Sequence, residues 1–314
     1  MPPKILVISG PTASGKTRLA VELALRHGGE VVSADSMQVY RRMDIGTAKP
    51  TPEEMRGIPH HMLDVAAPEE DFSVARYVEL AAPCVDDILA RGKLPIVAGG
   101  TGLYLDSLLS GRTFAPFSPD GGLRARLEAR FDALGGEAML GELAAADPEA
   151  AARLHPNDRK RIVRALEVFQ QTGKTISQHN RETRALPLRY DALTLSLAFQ
   201  RREDMWARID RRVDEMMAAG LAEEVRALLD SGVPVRCTAM QAIGYKEMAA
   251  ALRGGGDVCA AAEEIKLRSR QYAKRQLTWF RRTEGAKWLF WGPEPDFEAA
   301  CRTSTKYLEE FGLV

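Results

Sequence analysis

The chain has 314 residues, of which 45% are hydrophobic and 27% charged, and its 43 basic and 43 acidic residues give no net charge. This composition is typical of a globular protein with a sizeable core, and the balanced charge does not by itself indicate a nucleic-acid partner. No apolar run reaches membrane-spanning length, the first residues lack a signal-peptide pattern, and the four cysteines form no C-x-x-C pair, so we expect a cytoplasmic protein with reduced thiols and no membrane partner.

The first informative segment is a phosphate-binding pattern, G-x-x-x-x-G-K-[ST], between a predicted strand over residues 4–9 and a predicted helix over residues 18–25. It consists of Gly10, Pro11, Thr12, Ala13, Ser14, Gly15, Lys16 and Thr17. The glycines permit a tight turn, the backbone N–H groups converge on an anion at the start of a helix, and Lys16 adds a positive charge. The Thr17 hydroxyl can reach Mg²⁺ or a phosphate oxygen. This loop predicts a bound di- or triphosphate, without indicating that ATP is hydrolysed.

A short predicted strand over residues 30–34 is followed by a carboxylate. Ligands bind at the carboxyl edge of open parallel sheets, so Asp35 is expected to face the anion held by the loop. It could hold Mg²⁺ there or accept a proton from a substrate, although an aspartate at such a point can also cap a helix or stabilise a turn. Gln38 could hydrogen-bond an adenine edge, or it could lie in a surface turn.

Two further segments, within the first 117 residues, carry candidate ligand residues. His60 and His61 are adjacent, and neighbouring residues of a strand point to opposite faces, so we favour structural or substrate contacts over one shared metal ion. A buried-type strand over residues 94–98 ends in Gly99-Gly100-Thr101-Gly102, where the glycines let a ligand approach and Thr101 offers a hydroxyl. Nucleotide hydrolases usually have an acidic residue at such a strand end, so these glycines argue against hydrolysis.

The order of the predicted elements divides the chain into three parts. Strands alternate with helices over residues 1–117, which predicts parallel βαβ units, and Pro83 should kink or divide a helix over residues 73–90. Residues 118–190 are mostly helical and predict an inserted domain. The last part, residues 191–314, is predicted to contain strands at 193–198 and 287–290, helices at 201–219, 221–231, 239–252 and 257–280, and a final helix. The predicted fold class is therefore α/β, a P-loop NTPase-like core whose parallel sheet is flanked by helices, plus an all-helical insertion.

Basic residues cluster at three places despite the zero net charge. Arg208 and Arg212 lie four apart on a predicted helix beside Arg211, and they could clamp a leaving phosphate group or form a solvated face. Residues 159–164 are mostly basic. Residues 266–282 contain seven basic and no acidic residues, interleaved with Tyr272 and Trp279 at helical spacing. This pattern suits either RNA or a salt-bridged helix with its aromatic residues in the core.

A series of motifs in a fixed order resembles the tRNA dimethylallyltransferases, the tRNA isopentenyltransferase family, over nearly the whole chain. The motifs are GPTASGKT at 10–17, DSMQVY at 35–40, DIGTAKP at 44–50, PHHMLD at 59–64, GGTGLY at 99–104, HPNDRKRIVRALEV at 155–168, AIGYKE at 242–247 and RQYAKRQLTWFR at 270–281. Ser269 stands where threonine is expected, and it keeps the hydroxyl.

The resemblance implies transfer of a dimethylallyl group from dimethylallyl diphosphate to the exocyclic N6 amine of the adenosine 3′-adjacent to the tRNA anticodon, with release of diphosphate. The P-loop would then hold a pyrophosphate that leaves. Lys16, the loop amides, Mg²⁺ and Arg212 would offset its charge, and Thr17 would lie beside it as a catalytic residue and metal ligand. Asp35 would be the base that activates the amine, and the adenine would be flipped into the site.

The resemblance also implies the residues that contact the tRNA anticodon stem-loop. They are Asp35, Ser36, Met37, Gln38, Thr101, Arg124, Lys160, Arg161, Ile162, Val163, Arg164, Gln241, Gly244, Tyr245, Lys246 and Arg275. The other partner is dimethylallyl diphosphate, the cofactor is Mg²⁺, and a monomer is expected.

Two other functions use some of the same residues. A kinase of a small molecule or nucleoside would use the P-loop on ATP, but the basic aromatic helix and the glycine-ended strand argue against it. An RNA-binding module gated by a nucleotide would need no chemistry, and Asp35 beside the P-loop argues against that function.

Overall fold

A six-stranded parallel sheet forms the centre of the protein, seen here in a computed structural model that describes residues 2–111, 114 and 122–314. Its strands are β1 (Lys4–Ser9), β2 (Gly29–Ser33), β3 (His60–His61), β4 (Leu94–Gly99), β5 (Asp191–Phe199) and β6 (Lys287–Trp291), in the order β3-β2-β4-β1-β5-β6. All neighbouring strands are parallel. The central strands are continuous apolar runs because helices cover both of their faces. The predicted α/β class is confirmed.

Helices connect and cover these strands. They are α1 (Lys16–His27), α2 (Pro52–Met55), α3 (Val74–Ala90), α4 (Gly102–Leu109), α5 (Gly122–Ala146), α6 (Pro148–Ala151), α7 (Arg159–Thr172), α8 (Ile176–Arg184), α9 (Arg202–Ala218), α10 (Leu221–Asp230), α11 (Tyr245–Gly254), α12 (Val258–Phe280) and α13 (Phe297–Phe311). None of the helices in the described part of the chain is long and apolar enough to cross a membrane.

The chain divides into two compact units, one of Met1–Leu109 with Arg189–Val314 and one of Ser110–Leu188. The first contains the sheet and a core built from strand residues and the inner faces of α1, α9 and α13. The second is helical and has its own core, in which α5 packs against α7. The predicted boundary between residues 117 and 118 lies outside the described residues, and the assignment of domains by function stays a prediction.

Two helix predictions differ in part from the structure. Pro83 does not divide α3, because buried residues on both sides of it, from Tyr77 to Ile88, hold one continuous helix against the rest of the unit, and the alternative of a kink stays a prediction. The helix predicted over residues 239–252 is interrupted instead. A short 3₁₀ turn at Ala239–Gln241 is followed by Gly244 at φ 101°, a value outside the helical region, and α11 begins only afterwards.

The two adjacent histidines form β3 and make structural contacts. His61 Nε2 lies 2.9 Å from a carboxylate oxygen of the buried Glu30, and the two share a hydrogen bond. His60 Nδ1 lies 2.8 Å from the carbonyl oxygen of Ile58. Arg91 and Lys93 also bind Glu30, so His61 belongs to an ion-paired cluster that fixes the edge of the sheet.

Candidate active site

The loop after β1 has the geometry of a phosphate-binding loop. Gly10 and Gly15 have φ of 153° and 82°, and a Cβ on Gly15 would lie 2.6 Å from the ring of Phe297. Glycine is therefore required there by both backbone conformation and space. Among the described residues no side chain caps the N-terminus of α1, so its first backbone N–H groups stay available to an anion.

Lys16 lies at the start of α1, beside the loop. Its Nζ donates to the Pro11 carbonyl oxygen at 2.7 Å. Burial lowers the pKa of Lys16 to about 8, an effect that Asp35 partly offsets and Arg212 reinforces. Burial makes the protonated form of Lys16 unfavourable in the free site, and a bound anion stabilises that form again. Lys16 is therefore suited to binding a diphosphate.

Asp35 follows β2 at the same edge of the sheet. Its Oδ1 accepts hydrogen bonds from the backbone N–H of Met37 at 2.9 Å and of Gln38 at 3.4 Å. The carboxylate thus stabilises a turn, as one alternative predicted, and it also lines the cavity that contains Lys16. These two roles are compatible because a carboxylate has further acceptor sites beyond the two used.

Two glycines after β4 lie against side chains of α12. A Cβ on Gly100 would overlap the side-chain amide of Gln276, and one on Gly102 would overlap the indole of Trp279. Thr101 Oγ1 accepts the backbone N–H of Ser36 at 3.0 Å. Gly100 and Gly102 therefore permit the close approach of a helix, whereas Gly99 lines the P-loop compartment, where approach of a ligand stays a prediction.

Two arginines of α9 face the loop, and the third lies outside the site. Arg208 Nε donates to the Ala13 carbonyl oxygen at 3.2 Å. Arg212 lines the cavity, and burial lowers its pKa. Arg211 is exposed and lies 3.9 Å from Glu215, as expected for a residue on a solvated face.

A cavity with two adjoining compartments lies at this edge of the sheet. One compartment, of about 520 Å³, is formed by the P-loop and the start of α1. The other, of about 270 Å³, has a largely aliphatic wall made by Ile209, Val213, Met216, Ile243 and Ile265. Asp35, Arg212 and Tyr272 line both, so they stand at the junction. A diphosphate and an apolar group attached to it would therefore meet Asp35 where the compartments join.

The sequence does not reveal the roles of two residues of this cavity. The pattern of α12 predicts RNA binding or a core position for Tyr272, but this residue lines both compartments, and burial raises its pKa to about 12. Gln276 was not singled out, yet its side chain hydrogen-bonds the backbone of Thr12 and Gly100. Two signals in the sequence point to them: their spacing of four residues places them on one face of α12, and both lie within the motif RQYAKRQLTWFR at 270–281.

Gln38 lies at the wall of the P-loop compartment with its side chain committed to protein contacts. Its Nε2 donates to the carbonyl oxygens of Thr47 and Ala48, at 3.3 and 3.1 Å, and its Oε1 accepts from Ser33. The amide therefore holds the loop around Thr47 against β2.

Comparison with known proteins gives the family. The family model described as IPP transferase matches residues 38–283, and the isopentenyl transferase model matches residues 3–72. A tRNA dimethylallyltransferase of Acetivibrio thermocellus is 46% identical over 309 residues, which cover 98% of each chain. The chain belongs to the tRNA dimethylallyltransferase family. The resemblance predicted from the motifs is confirmed, and the protein is a transferase.

Solved structures of similar proteins have the same architecture as this transferase. A full-length tRNA isopentenylpyrophosphate transferase of Bacillus halodurans is 41% identical with a TM-score of 0.73, and the match covers 98% of this chain and 96% of that one. A eukaryotic dimethylallyltransferase, described as acting on tRNA, is 29% identical with a TM-score of 0.82. The match covers 98% of this chain and 78% of that one.

The predicted RNA-binding residues of the transferase differ in accessibility. Lys160, Arg161, Lys246 and Arg275 are exposed. Four others already have contacts within the protein. Two of these are arginines near acidic residues: Arg164 pairs with Glu167 at 2.7 Å, and Arg124 lies 3.5 Å from Glu128. The other two donate hydrogen bonds, Gln241 Nε2 to the Val235 carbonyl oxygen and the Gly244 N–H to Glu247. The side chains of Ile162, Val163 and Tyr245 are buried, and Tyr245 donates to Glu224. These three side chains pack in the interior of the protein, away from its surface.

The basic run on α12 of the transferase is also less uniform than its sequence. Lys266, Arg268 and Arg270 form ion pairs with Asp214, Glu264 and Asp210, respectively, so their charges are largely neutralised. The second half of the run lines an open groove formed by Gln271, Lys274, Arg275, Thr278, Trp279 and Arg282. We call this surface the α12 groove.

Proposed function

We propose that this transferase moves a dimethylallyl group from dimethylallyl diphosphate to the exocyclic N6 amine of the adenosine 3′-adjacent to the anticodon of tRNA. The observation that carries the proposal is the two-compartment cavity, in which a phosphate-binding loop, a carboxylate and an aliphatic wall meet. Membership of the family supports the reaction class, and the eukaryotic relative acting on tRNA supports the acceptor.

The diphosphate binds in the P-loop compartment as a leaving group. As the bond between the allylic carbon and oxygen breaks, negative charge grows on the diphosphate and positive charge on the allylic carbon. Lys16, Arg212 and the N-terminal N–H groups of α1 stabilise this diphosphate charge in a partly desolvated site. Arg208 holds the Ala13 carbonyl oxygen, which keeps the loop in place.

The adenine amine attacks from the side of Asp35. A new bond forms between nitrogen and the allylic carbon, the carbon–oxygen bond breaks, and one N–H proton passes to the Asp35 carboxylate. The products are N6-dimethylallyl adenosine in tRNA and diphosphate. The amine needs a base because its lone pair is delocalised into the ring, and the target base must leave its stack to reach the cavity.

Mg²⁺ suits the residues present. Thr17 and Asp35 line the P-loop compartment, and Mg²⁺ commonly binds through one or two protein oxygens together with substrate phosphates. We propose that the Thr17 hydroxyl holds the ion when donor is bound, which leaves the Asp35 carboxylate free to accept the proton. The ion would supply positive charge that stabilises the diphosphate.

The α12 groove is the surface that we propose for tRNA. It combines Lys274, Arg275 and Arg282 with Trp279, whose side chain is partly exposed. Basic and aromatic side chains together suit phosphates and unpaired bases. The catalytic residues all come from one chain, so a monomer suffices, and we place the reaction in the cytoplasm, where tRNA and reduced cysteines are compatible.

A two-label assay tests the proposal against the kinase alternative. The protein is incubated with tRNA and either labelled dimethylallyl diphosphate or ATP labelled in its terminal phosphate. We expect label from the dimethylallyl donor in the RNA and none from ATP. Phosphoryl transfer to a small acceptor without tRNA, with no prenyl label in RNA, would contradict the proposal.

A further inference from the structure

The side chain of Gln276 joins two loops of the active site. Its Oε1 accepts a hydrogen bond from the backbone N–H of Thr12 at 2.9 Å, and its Nε2 donates to the carbonyl oxygen of Gly100 at 2.9 Å. Only 6% of the residue is exposed. Buried amides need partners for both ends, and here both partners are backbone groups on different loops.

The link continues from Gly100 to the proposed base. Thr101 is the next residue, and its Oγ1 accepts the backbone N–H of Ser36 at 3.0 Å. Ser36 directly follows Asp35. A continuous chain of hydrogen bonds and peptide units therefore runs from the P-loop through Gln276 to the segment that carries the carboxylate.

We propose that Gln276 is a positioning residue, which sets the distance between the diphosphate in the P-loop and the Asp35 carboxylate. The inference rests on the function proposed above. Transfer requires the allylic carbon, the amine nitrogen and the base to be aligned, and a small displacement lowers the rate steeply. Lys16 and the N–H groups of α1 remain when Gln276 is altered, so the rate constant of transfer should fall more than donor affinity.

Gly100 offers a way to break the same link from the opposite side. A Cβ there would overlap Nε2 of Gln276, which is held in place by its hydrogen bond to the same residue. Gly100→Ala should therefore displace the amide without changing Gln276 and should reproduce the kinetic defect.

The opposite polarity of the two hydrogen bonds provides a specific signature. In Gln276→Glu, a carboxylate can still accept from the Thr12 N–H but cannot donate to the Gly100 carbonyl oxygen. Burial and the facing carbonyl oxygen would raise the pKa of the introduced carboxyl, and its protonated form can make both bonds. Relative to the unaltered enzyme, this variant should be more active at low pH than at high pH.

The experiment measures single-turnover transfer to tRNA at saturating donor, from about pH 6 to about pH 9. The ratio of the Gln276→Glu rate to the wild-type rate should fall by about tenfold per pH unit above the pKa of the new carboxyl. Taking the ratio separates the effect of the new carboxyl from pH effects that both enzymes share. Gln200→Glu is the matched control, because Gln200 is exposed and its ratio should stay constant.

Gln276→Met fills similar space without either hydrogen bond, so it should be slow at every pH with little change in donor KM. It also serves as the test if Gln276→Glu does not fold. A pH-independent ratio for folded Gln276→Glu, or a wild-type transfer rate in Gln276→Met, would overturn the positioning role. If wild-type enzyme itself transfers no dimethylallyl group to tRNA, the proposed function fails instead, and the two failures are thus distinguished.

Discussion

Asp35 is the residue on which the chemistry of the proposal depends. Asp35→Asn keeps an acceptor for the Met37 N–H but cannot take the amine proton. We expect transfer to slow by about 10²–10⁴-fold, with donor binding largely intact. The measurement is single-turnover transfer at about pH 7, since loss of Asp35 would lower the pKa of Lys16 further.

The control for this change is Asp230→Asn, at the exposed end of α10. That variant should behave as wild type. An Asp35→Asn enzyme that transferred the group within a few-fold of wild type would remove Asp35 from the mechanism.

Lys16 should make donor binding dependent on pH. Burial lowers its pKa to about 8 in the free enzyme, and a bound diphosphate raises that pKa again. Above about pH 8 the free lysine must therefore take up a proton when donor binds. Donor affinity should fall as pH rises, and the fall should approach about tenfold per pH unit. Calorimetric titration from about pH 7 to about pH 9.5 checks this dependence.

The control for that titration is Lys16→Met, which should bind donor more weakly and without this pH dependence. A wild-type dissociation constant that stayed constant above about pH 8 would show that Lys16 does not supply the charge.

Arg212 and its neighbour Arg211 form a matched pair on α9. Arg212 faces the cavity, whereas Arg211 is exposed beside Glu215. Arg212→Ala should cost about 2.7–4 kcal/mol of transition-state stabilisation, as for loss of one preorganised charge-stabilising donor. Arg211→Ala should change the rate little. Equal effects of the two substitutions on the transfer rate would contradict the role of Arg212 in stabilising the leaving diphosphate.

At the scale of elements, α12 has two functional faces. Tyr272 and Gln276 face the cavity and the P-loop, whereas Lys274 and Arg275 lie on the exposed side. The close approach of the inner face depends on the glycines after β4. One rigid helix therefore places the RNA surface and the donor loop in a fixed relation within this unit.

The exposed face of α12 should make tRNA binding depend on salt. Each neutralised phosphate releases a counterion, so the logarithm of the binding constant falls linearly with the logarithm of salt concentration. Arg275→Ala should reduce that slope by about one unit and leave donor affinity unchanged. Arg268→Ala is the control, because its charge is already paired with Glu264 at 2.6 Å, and its slope should change less.

A tRNA interaction that did not respond to salt would contradict the electrostatic role of the α12 groove. So would a slope that changed equally in the Arg268→Ala and Arg275→Ala enzymes.

The sequence predicts the elements that local pattern decides. Buried strands such as β1 and β4 are continuous apolar runs, and the P-loop residues have a spacing that carries its own mechanism. The break at Gly244 was missed, because an isolated glycine does not reveal whether its φ is positive. Gln276 could not be found either, because its partners Thr12 and Gly100 are far away in the chain and meet it only after α12 has packed.

At the scale of the whole molecule, the site is assembled from distant parts of one compact unit. The strands β2, β4 and β1 are neighbours in the sheet, so the loops after them bring Asp35, Thr101 and the P-loop to one edge. The unit resumes at Arg189, after the helical insertion, and then supplies α9 and α12. The family motifs are scattered along the sequence because each belongs to one of these converging segments.

The most direct test of the central claim is the position and identity of the modified nucleoside. Unmodified tRNA is incubated with the protein and dimethylallyl diphosphate, digested, and analysed by chromatography and mass spectrometry. We expect a dimethylallyl group on N6 of the adenosine 3′-adjacent to the anticodon with wild-type enzyme, and greatly reduced product with Asp35→Asn. An unmodified adenosine at that position, or equal product from both enzymes, would contradict it.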